Sequence, residues 1–185
     1  MRIAVSGAHG TGKTTLVAEL AALLRGHRVV EEPYHAMVAE GYAFPDPPGR
    51  DDYVAQLERS IVSLEDAEDA EEYDVVFDRC PADFLAYLAA LPGADPDSLR
   101  AALDAAQPAL GSLDLVVYVP IESPDPIAAH GIGQRKLRRD VDALLHDMLI
   151  DDGWALGLIV LRVSGTAAER ARQVAVEIGV AQGAS

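Results

Sequence analysis

Nine residues near the start of the chain carry the most specific chemical pattern in the sequence. The stretch reads GAHGTGKTT and matches G-x-x-x-x-G-K-[ST] at Gly7, Gly12, Lys13 and Thr14. Glycines let the backbone wrap around an anion so that amide N–H groups converge on it, and a following helix N-terminus adds a favourable partial charge. The residues predicted to contact a nucleotide are Gly7, Ala8, His9, Gly10, Thr11, Gly12, Lys13, Thr14 and Thr15.

Two side chains of this loop have predicted chemical roles. Lys13 is expected to contact the β and γ phosphates, and the Thr14 hydroxyl is expected to ligate Mg²⁺. His9 occupies a free position of the motif, so no chemistry is expected from its ring. The loop therefore predicts ATP and Mg²⁺ as cofactors.

The surrounding pattern is that of an α/β fold. RIAVS at 2–6 predicts a strand, and leucines then recur at helical spacing until Gly26. Further strands are predicted within RVVEEP (28–33), YDVVFDRCP (73–81), LDLVVYVP (113–120) and LGLIVLRVSG (156–165). Because each run is apolar throughout, the strands are expected to be parallel and buried on both faces. This predicts a three-layer P-loop NTPase fold, a five-stranded parallel sheet flanked by helices.

Helical patterns fill the segments between these strands. The insert after the second strand, about 33–72, holds the loop AFPDPPGRDD and then a helix from about Tyr53 to Glu68. Other helices are predicted at about 82–90, 95–107 and 134–148, and a last helix follows Gly165 with Thr166 as its N-cap.

Composition narrows the possible functions. The 185 residues suit one domain, 1–185, and the formal net charge is −15. Nucleic acid and anionic membranes need a basic surface, so neither is expected as a partner. No apolar run approaches membrane-spanning length, so a cytoplasmic protein is expected, as a monomer or homodimer. Cys80 is the only cysteine, which excludes an internal disulfide.

The sequence lacks the motifs that mark several classes of nucleotide-binding protein. A GTPase needs an Asn/Thr-Lys-x-Asp element, but the chain has no asparagine and no Thr-Lys-x-Asp. An AAA+ motor would have an Asp-Glu pair where this third strand run ends in Asp78-Arg79. Signatures of ABC proteins are also missing. Among the classes of P-loop proteins, this leaves the small-molecule kinases.

A family resemblance supports the kinase interpretation. VSGAHGTGKTTL (5–16) is similar to the opening of small P-loop ATPases and kinases related to the ribosylnicotinamide kinase domain. EEP (31–33) and DRC (78–80) resemble the Glu-Pro and Glu/Asp-Arg-Ser elements of deoxynucleoside kinases. The order of these elements, followed by an arginine-rich lid, runs along nearly the whole chain. Cys80 stands where the family has serine, and the tryptophan common after Glu-Pro is absent.

The resemblance implies roles for three residues at strand ends. Glu32 would relieve the acceptor hydroxyl of its proton, Asp78 would help hold Mg²⁺ through water, and Arg79 would touch phosphate or substrate. Carboxyl ends of parallel strands share one rim, so Glu32 and Asp78 are expected to face the phosphate loop. The alternative is that Glu31 or Glu32 is only a surface acid at a strand end.

A cationic cluster lies in the first turns of the helix at about 134–148. Pro and Gly residues break the loop before it, so a lid at about 122–140 is predicted to close over ATP. Its arginines, Arg135, Arg138 and Arg139, share one helix face and are expected to meet the charge on the transferred phosphoryl group. The alternative is a solvated face paired with Asp140 and Asp142.

Substrate recognition is assigned to the insert after the second strand. By resemblance, Gln56 would bind a nucleobase edge, and Tyr34, Phe44 and Tyr53 offer rings for stacking. The predicted substrate contacts are Glu32, Tyr34, Tyr53, Gln56 and Arg79, and core packing is the alternative for the aromatic residues. Gly165 and Thr166 are placed beside the adenine, as in related folds.

These observations lead to one main hypothesis about the function and to several alternatives. The chain is expected to transfer the γ-phosphoryl of ATP to a hydroxyl of a small nucleoside-like substrate. A nucleoside monophosphate or a non-nucleoside alcohol is an alternative acceptor. A nucleotide-dependent switch acting on a protein partner is the rival from another class, and a domain that binds nucleotide only for structure is the third.

Overall fold

The computed structural model describes residues 1–123 and 132–179, and this part of the chain forms five strands and seven helices. The strands are β1 (Arg2–Ser6), β2 (Arg28–Val30), β3 (Val75–Asp78), β4 (Leu115–Tyr118) and β5 (Val160–Arg162). The helices are α1 (Lys13–Leu23), α2 (Pro33–Ala39), α3 (Arg50–Asp69), α4 (Pro81–Ala90), α5 (Pro96–Gly111), α6 (Ile132–Leu149) and α7 (Ala167–Glu177).

All the strands belong to one parallel sheet with the order β2-β3-β1-β4-β5. Ile3 and Val5 of β1 face a core shared with α1 and α7, whereas Ala4 faces the larger core that contains residues of α3, α4, α5 and α6. The predicted three-layer fold class is confirmed. Because β1 is central, the loop after it lies between the ends of β3 and β4.

Burial differs between central and edge strands. Every residue of β1, β3 and β4 is buried, as the apolar runs predicted. The prediction is wrong for β2 and β5, which are partly exposed, with Val29 40% exposed. Each of these strands has a neighbour on one side only, so its outer part is not covered by the sheet.

Helix α2 is the one element that the sequence analysis missed. Glu32 is its N-cap residue and Pro33 its first residue, a position where proline is favoured because the missing N–H would have no helical partner. The other helices begin and end within a few residues of the predictions. The Thr166 cap is confirmed, since its side chain accepts from the Glu169 N–H.

Part of the predicted lid, 124–131, lies outside the described residues. Within 1–123 and 132–179, none of the helices combines the length and the apolar character needed to cross a bilayer.

The close approach of Gly7 to β4 yields a prediction. Gly7 has φ 155°, and a Cβ there would lie 2.3 Å from the Val119 carbonyl oxygen. Gly7→Ala is therefore expected to lower the free energy of unfolding by about 2–4 kcal/mol, through backbone strain and overpacking. Denaturant unfolding measures this change.

Gly93→Ala is the matched control, since Gly93 also has positive φ, 73°, but its Cβ would meet nothing within 4 Å. It should cost about 1 kcal/mol from strain alone. Equal losses in the two variants would contradict the steric argument.

Candidate active site

The phosphate-binding loop joins β1 to α1 and encloses the side chain of Lys13. Lys13 is 4% exposed, and its Nζ donates a hydrogen bond of 2.8 Å to the Ala8 carbonyl oxygen. Burial lowers the pKa of Lys13 to about 7, and the nearby Arg79 charge contributes in the same direction. The described hydrogen bond of this ammonium group is to a carbonyl oxygen and not to a carboxylate.

Thr14 and Asp78 form the part of the site that suits a metal ion. The Thr14 hydroxyl donates to Asp78 Oδ2 at 2.9 Å, while the buried Asp78 Oδ1 has no hydrogen-bond partner within the described part of the chain. Burial raises the pKa of Asp78. A carboxylate oxygen and a hydroxyl oxygen are ligands that Mg²⁺ prefers, and an unpaired buried oxygen fits a nearby cation. These residues therefore suit Mg²⁺.

Glu32 and Arg79 meet beside this loop. Arg79 Nε donates to Glu32 Oε1 at 2.5 Å, and Arg79 Nη1 donates to the Gly7 carbonyl oxygen at 3.1 Å. Burial alone would raise the pKa of Glu32, but the charge and hydrogen bond of Arg79 outweigh burial and lower it. Glu32 is therefore an ionised carboxylate at neutral pH. Four residues that the sequence analysis selected, Lys13, Glu32, Asp78 and Arg79, thus lie in one electrostatic cluster.

Two residues of α4 complete the surroundings of the loop, and the sequence analysis missed both. Asp83 is fully buried, and its Oδ1 accepts from the Gly7 N–H at 3.0 Å and from Arg79 Nη1 at 3.0 Å. The Tyr87 hydroxyl accepts from the His9 N–H at 3.1 Å. Asp83 and Tyr87 follow Arg79 by four and eight residues and so share one face of the helix. This spacing could have identified both residues from the sequence.

The arginines of α6 do not behave alike. Arg138 is 6% exposed, and its Nε donates to the His9 carbonyl oxygen at 2.6 Å. Arg138 is therefore buried against the phosphate loop. Arg135 and Arg139 are exposed and line a cavity of about 850 Å³ together with Arg162. Of the three, Arg138 is the one for which the described contacts reach the phosphate loop.

The two acids proposed as partners of these arginines have other contacts. Asp140 pairs with Lys136 at 2.5 Å. Asp142 accepts from the Tyr118 hydroxyl at 3.0 Å and from the Ile121 N–H at 3.1 Å. Among the described contacts, neither Asp140 nor Asp142 pairs with an arginine of α6.

Gly165 and Thr166 are linked to the phosphate loop through two residues that the sequence analysis did not select. Glu122 accepts from the Gly165 N–H at 2.7 Å and from Arg170 Nη2 at 2.9 Å. Arg170 Nη1 donates in turn to the Thr11 carbonyl oxygen at 2.7 Å. The loop predicted to lie beside adenine is thus held at a fixed place relative to the phosphate loop.

The predicted substrate contacts on the insert fall into two environments. Tyr53 and Gln56 are buried: the Tyr53 ring stacks on Tyr87 at 4.8 Å, and Gln56 Nε2 donates to the Asp52 carbonyl oxygen at 3.1 Å. Burial raises the pKa of Tyr53 to about 12. Tyr34 is instead 36% exposed and lies 4.5 Å from the Phe44 ring. Tyr34 is the predicted contact most open to a ligand.

The chain belongs to the AAA domain family, whose profile matches residues 2–170. No curated protein matches the sequence. Within this chain, β3 ends in Asp78-Arg79 and not in the Asp-Glu pair of an AAA+ motor.

Solved structures with the same fold include a deoxyadenosine kinase, NadR and a thymidylate kinase. A deoxyadenosine kinase from M. mycoides with dCMP and dCDP has a TM-score of 0.66 and 13% identity, covering 97% of this chain and 99% of that one. NadR in complex with NAD and AMP-PNP has a TM-score of 0.66 and 21% identity, covering all of this chain and 51% of NadR. Thymidylate kinase from Candida albicans has a TM-score of 0.63 and 15% identity, with 96% and 90% covered. The resemblance noted from the sequence is thereby confirmed for the fold.

The buried ammonium group gives a test of the phosphate-binding assignment. Lys13→Ala is expected to weaken Mg-ATP binding by at least about 100-fold, because it removes the cation enclosed by the loop. Isothermal titration calorimetry measures the affinity, and thermal unfolding without nucleotide checks that the variant is folded. Unchanged affinity in a folded variant would contradict the assignment.

Proposed function

We propose that this protein is an ATP- and Mg²⁺-dependent phosphotransferase that moves the γ-phosphoryl of ATP to a hydroxyl of a small nucleoside-like substrate. The observation that carries the proposal is the position of Glu32, an ionised carboxylate bonded to Arg79 in the same cluster as Lys13. A phosphotransferase needs such a carboxylate beside its phosphate loop, whereas a protein that only binds nucleotide does not.

The chain's own groups account for binding and orientation. The ammonium group of Lys13 exchanges its hydrogen bond to the Ala8 carbonyl for a phosphate oxygen, and the loop N–H groups bind the remaining oxygens. Thr14 and Asp78 would hold Mg²⁺, which would supply positive charge to the phosphates of ATP. The Arg138 guanidinium, already against the His9 carbonyl, adds positive charge at the same rim.

Glu32 performs the proton transfer. Its carboxylate accepts the proton of the acceptor hydroxyl while the acceptor oxygen forms a bond to the γ phosphorus. The bond between the γ phosphorus and the bridging oxygen breaks, and ADP leaves. Arg79, which donates to Glu32 and to the Gly7 carbonyl oxygen, holds the carboxylate beside the phosphate loop until the acceptor hydroxyl replaces it as the partner of Glu32.

The charges around Glu32 favour an acceptor without a phosphate of its own. The cations that act most strongly on Glu32 are Arg79 and Lys13. Arg79 is already bonded to two carboxylates, and Lys13 serves the ATP phosphates. Tyr34, which follows the N-cap Glu32 on α2 and is 36% exposed, offers an aromatic ring on which a nucleobase or another flat ring can stack.

The proposed activity is tested by ADP release from Mg-ATP, first without acceptor and then with nucleosides, ribosylnicotinamide and nucleoside monophosphates. ADP that forms only with one class of acceptor establishes the kinase and its substrate class together. ADP formed at the same rate without acceptor would instead support the nucleotide-dependent switch. Lys13→Ala supplies the blank.

Glu32→Gln is expected to lower the turnover number of this reaction by about 10²–10⁴-fold while leaving Mg-ATP affinity nearly unchanged, because only the proton acceptor is removed. Glu31→Gln is the matched control, since Glu31 is the exposed neighbouring acid and should retain full turnover. Steady-state kinetics and calorimetry provide the two readouts. Full turnover in Glu32→Gln would remove Glu32 from the mechanism.

The ion pair between Glu32 and Arg79 also predicts how the turnover number depends on pH. Glu32 must be deprotonated to accept a proton, and its pKa lies below the ordinary value of 4.5, so the turnover number should not fall with decreasing pH until below that value. Arg79→Gln removes the cation, burial then dominates, and the acid limb should move up by about 1–3 pH units. The turnover number measured between about pH 5 and pH 8 shows the limb in the variant. Superimposable profiles would contradict the coupling.

A further inference from the structure

Arg79 is bonded to two carboxylates that differ in how firmly they are held. Glu32 is 17% exposed at its side chain, and its described hydrogen bond is the one to Arg79. It is the N-cap residue of α2, but its side chain makes no capping hydrogen bond. Its carboxylate can therefore turn away from Arg79 without breaking a contact within α2.

Asp83 has no such freedom. Its side chain is fully buried, and it is the third residue of α4, whose first eight residues are all buried. Oδ1 accepts from Gly7 and Arg79, while Oδ2 accepts from the Cys80 N–H at 3.1 Å. Turning this carboxylate would leave several buried donors without partners, which is costly.

Gly7 closes the arrangement into a ring of hydrogen bonds. Its N–H donates to Asp83, and its carbonyl oxygen accepts from the same Arg79 nitrogen that donates to Asp83. Arg79 itself has φ 78°, an uncommon conformation for a residue with a side chain. The guanidinium also lies 5.7 Å from the centre of the Tyr87 ring. Of the described partners of Arg79, all except Glu32 are thus held in place.

We infer that Asp83 is a positioning residue: it is the permanent counter-ion that keeps Arg79 and the Gly7 peptide in place while Glu32 exchanges Arg79 for the acceptor hydroxyl. Without it, Arg79 would have Glu32 as its one described carboxylate partner and would follow that side chain. The consequence for phosphoryl transfer rests on the proposed function, whereas the effect on Arg79 itself does not.

The competing explanation is that Asp83 only caps α4 through the Cys80 N–H. Such a cap affects stability but leaves the Arg79 guanidinium unchanged. Asp95 offers the matched control, because it caps α5 by accepting from the Ser98 N–H at 2.9 Å and is exposed. Both aspartates accept from a backbone N–H at the start of a helix, Asp83 as the third residue of α4 and Asp95 as the N-cap of α5, and only Asp83 contacts Arg79.

The first experiment is hydrogen exchange at Arg79 Nη1, the nitrogen that donates to Asp83 and to the Gly7 carbonyl oxygen, followed in ¹H–¹⁵N spectra and assigned by the signal lost in Arg79→Lys. Asp83→Asn is expected to speed this exchange on the order of ten-fold or more, whereas Asp95→Asn leaves it unchanged. If Asp83→Asn does not fold, Asp83→Ser retains an oxygen for the Cys80 N–H and is used in its place. Unchanged exchange in the folded variant would overturn the inference, and this readout requires no acceptor.

The second experiment is a double-mutant cycle on the turnover number, with the acceptor found by ADP release. Asp83→Asn should lower turnover on the order of 10–100-fold in the wild-type protein and have little effect in an Arg79→Met background, because it acts through Arg79. The same loss in both backgrounds would overturn the inference. If no acceptor supports transfer, the proposed function fails, and the exchange experiment still decides the role of Asp83.

Discussion

The site is organised around two buried positive charges, Lys13 and Arg79, in a protein whose formal net charge is −15. Burying a cation is costly unless hydrogen bonds and opposite charges compensate it. Arg79 is compensated by two carboxylates and a carbonyl, whereas Lys13 has a direct hydrogen bond only to one carbonyl among the described contacts. The charge of Arg79 is therefore already compensated. Lys13, which lies in the phosphate loop, would gain a charged partner if an anion bound there.

The strand order explains how residues so far apart in the sequence meet. Because β1 is flanked by β3 and β4, the loop after β1 lies next to Asp78 and Arg79 on one side and near Val119 on the other. The outer strand β2 ends just before Glu32, so that side chain reaches the same rim from the edge of the sheet. Helices α4 and α6, which pack together on one face of the sheet, then support the loop through Asp83 and Arg138.

Backbone requirements could be predicted from the sequence better than side-chain environments. The glycine spacing reveals the phosphate loop because few other residues tolerate its conformation, and strand-end acids follow from the apolar runs. The burial of Gln56 could not be predicted, because α3 packs against both α4 and α5 and so buries more than its apolar stripe. The burial of Arg138 and the contacts of Asp83 could not be predicted for a related reason: they depend on where α6 and α4 cross the loop, and periodicity alone does not give that crossing.

Arg170 has a consequence for how the chain can be divided. It lies on α7, is 7% exposed, and reaches back across the sequence to the Thr11 carbonyl and to Glu122. A fragment that ended before Ala167 would retain all five strands and every residue of the glycine motif, yet it would lack one of the side chains that hold the loop backbone. The smallest unit able to maintain the phosphate loop therefore extends beyond the sheet into α7, and Arg170 is also the last residue of the family match.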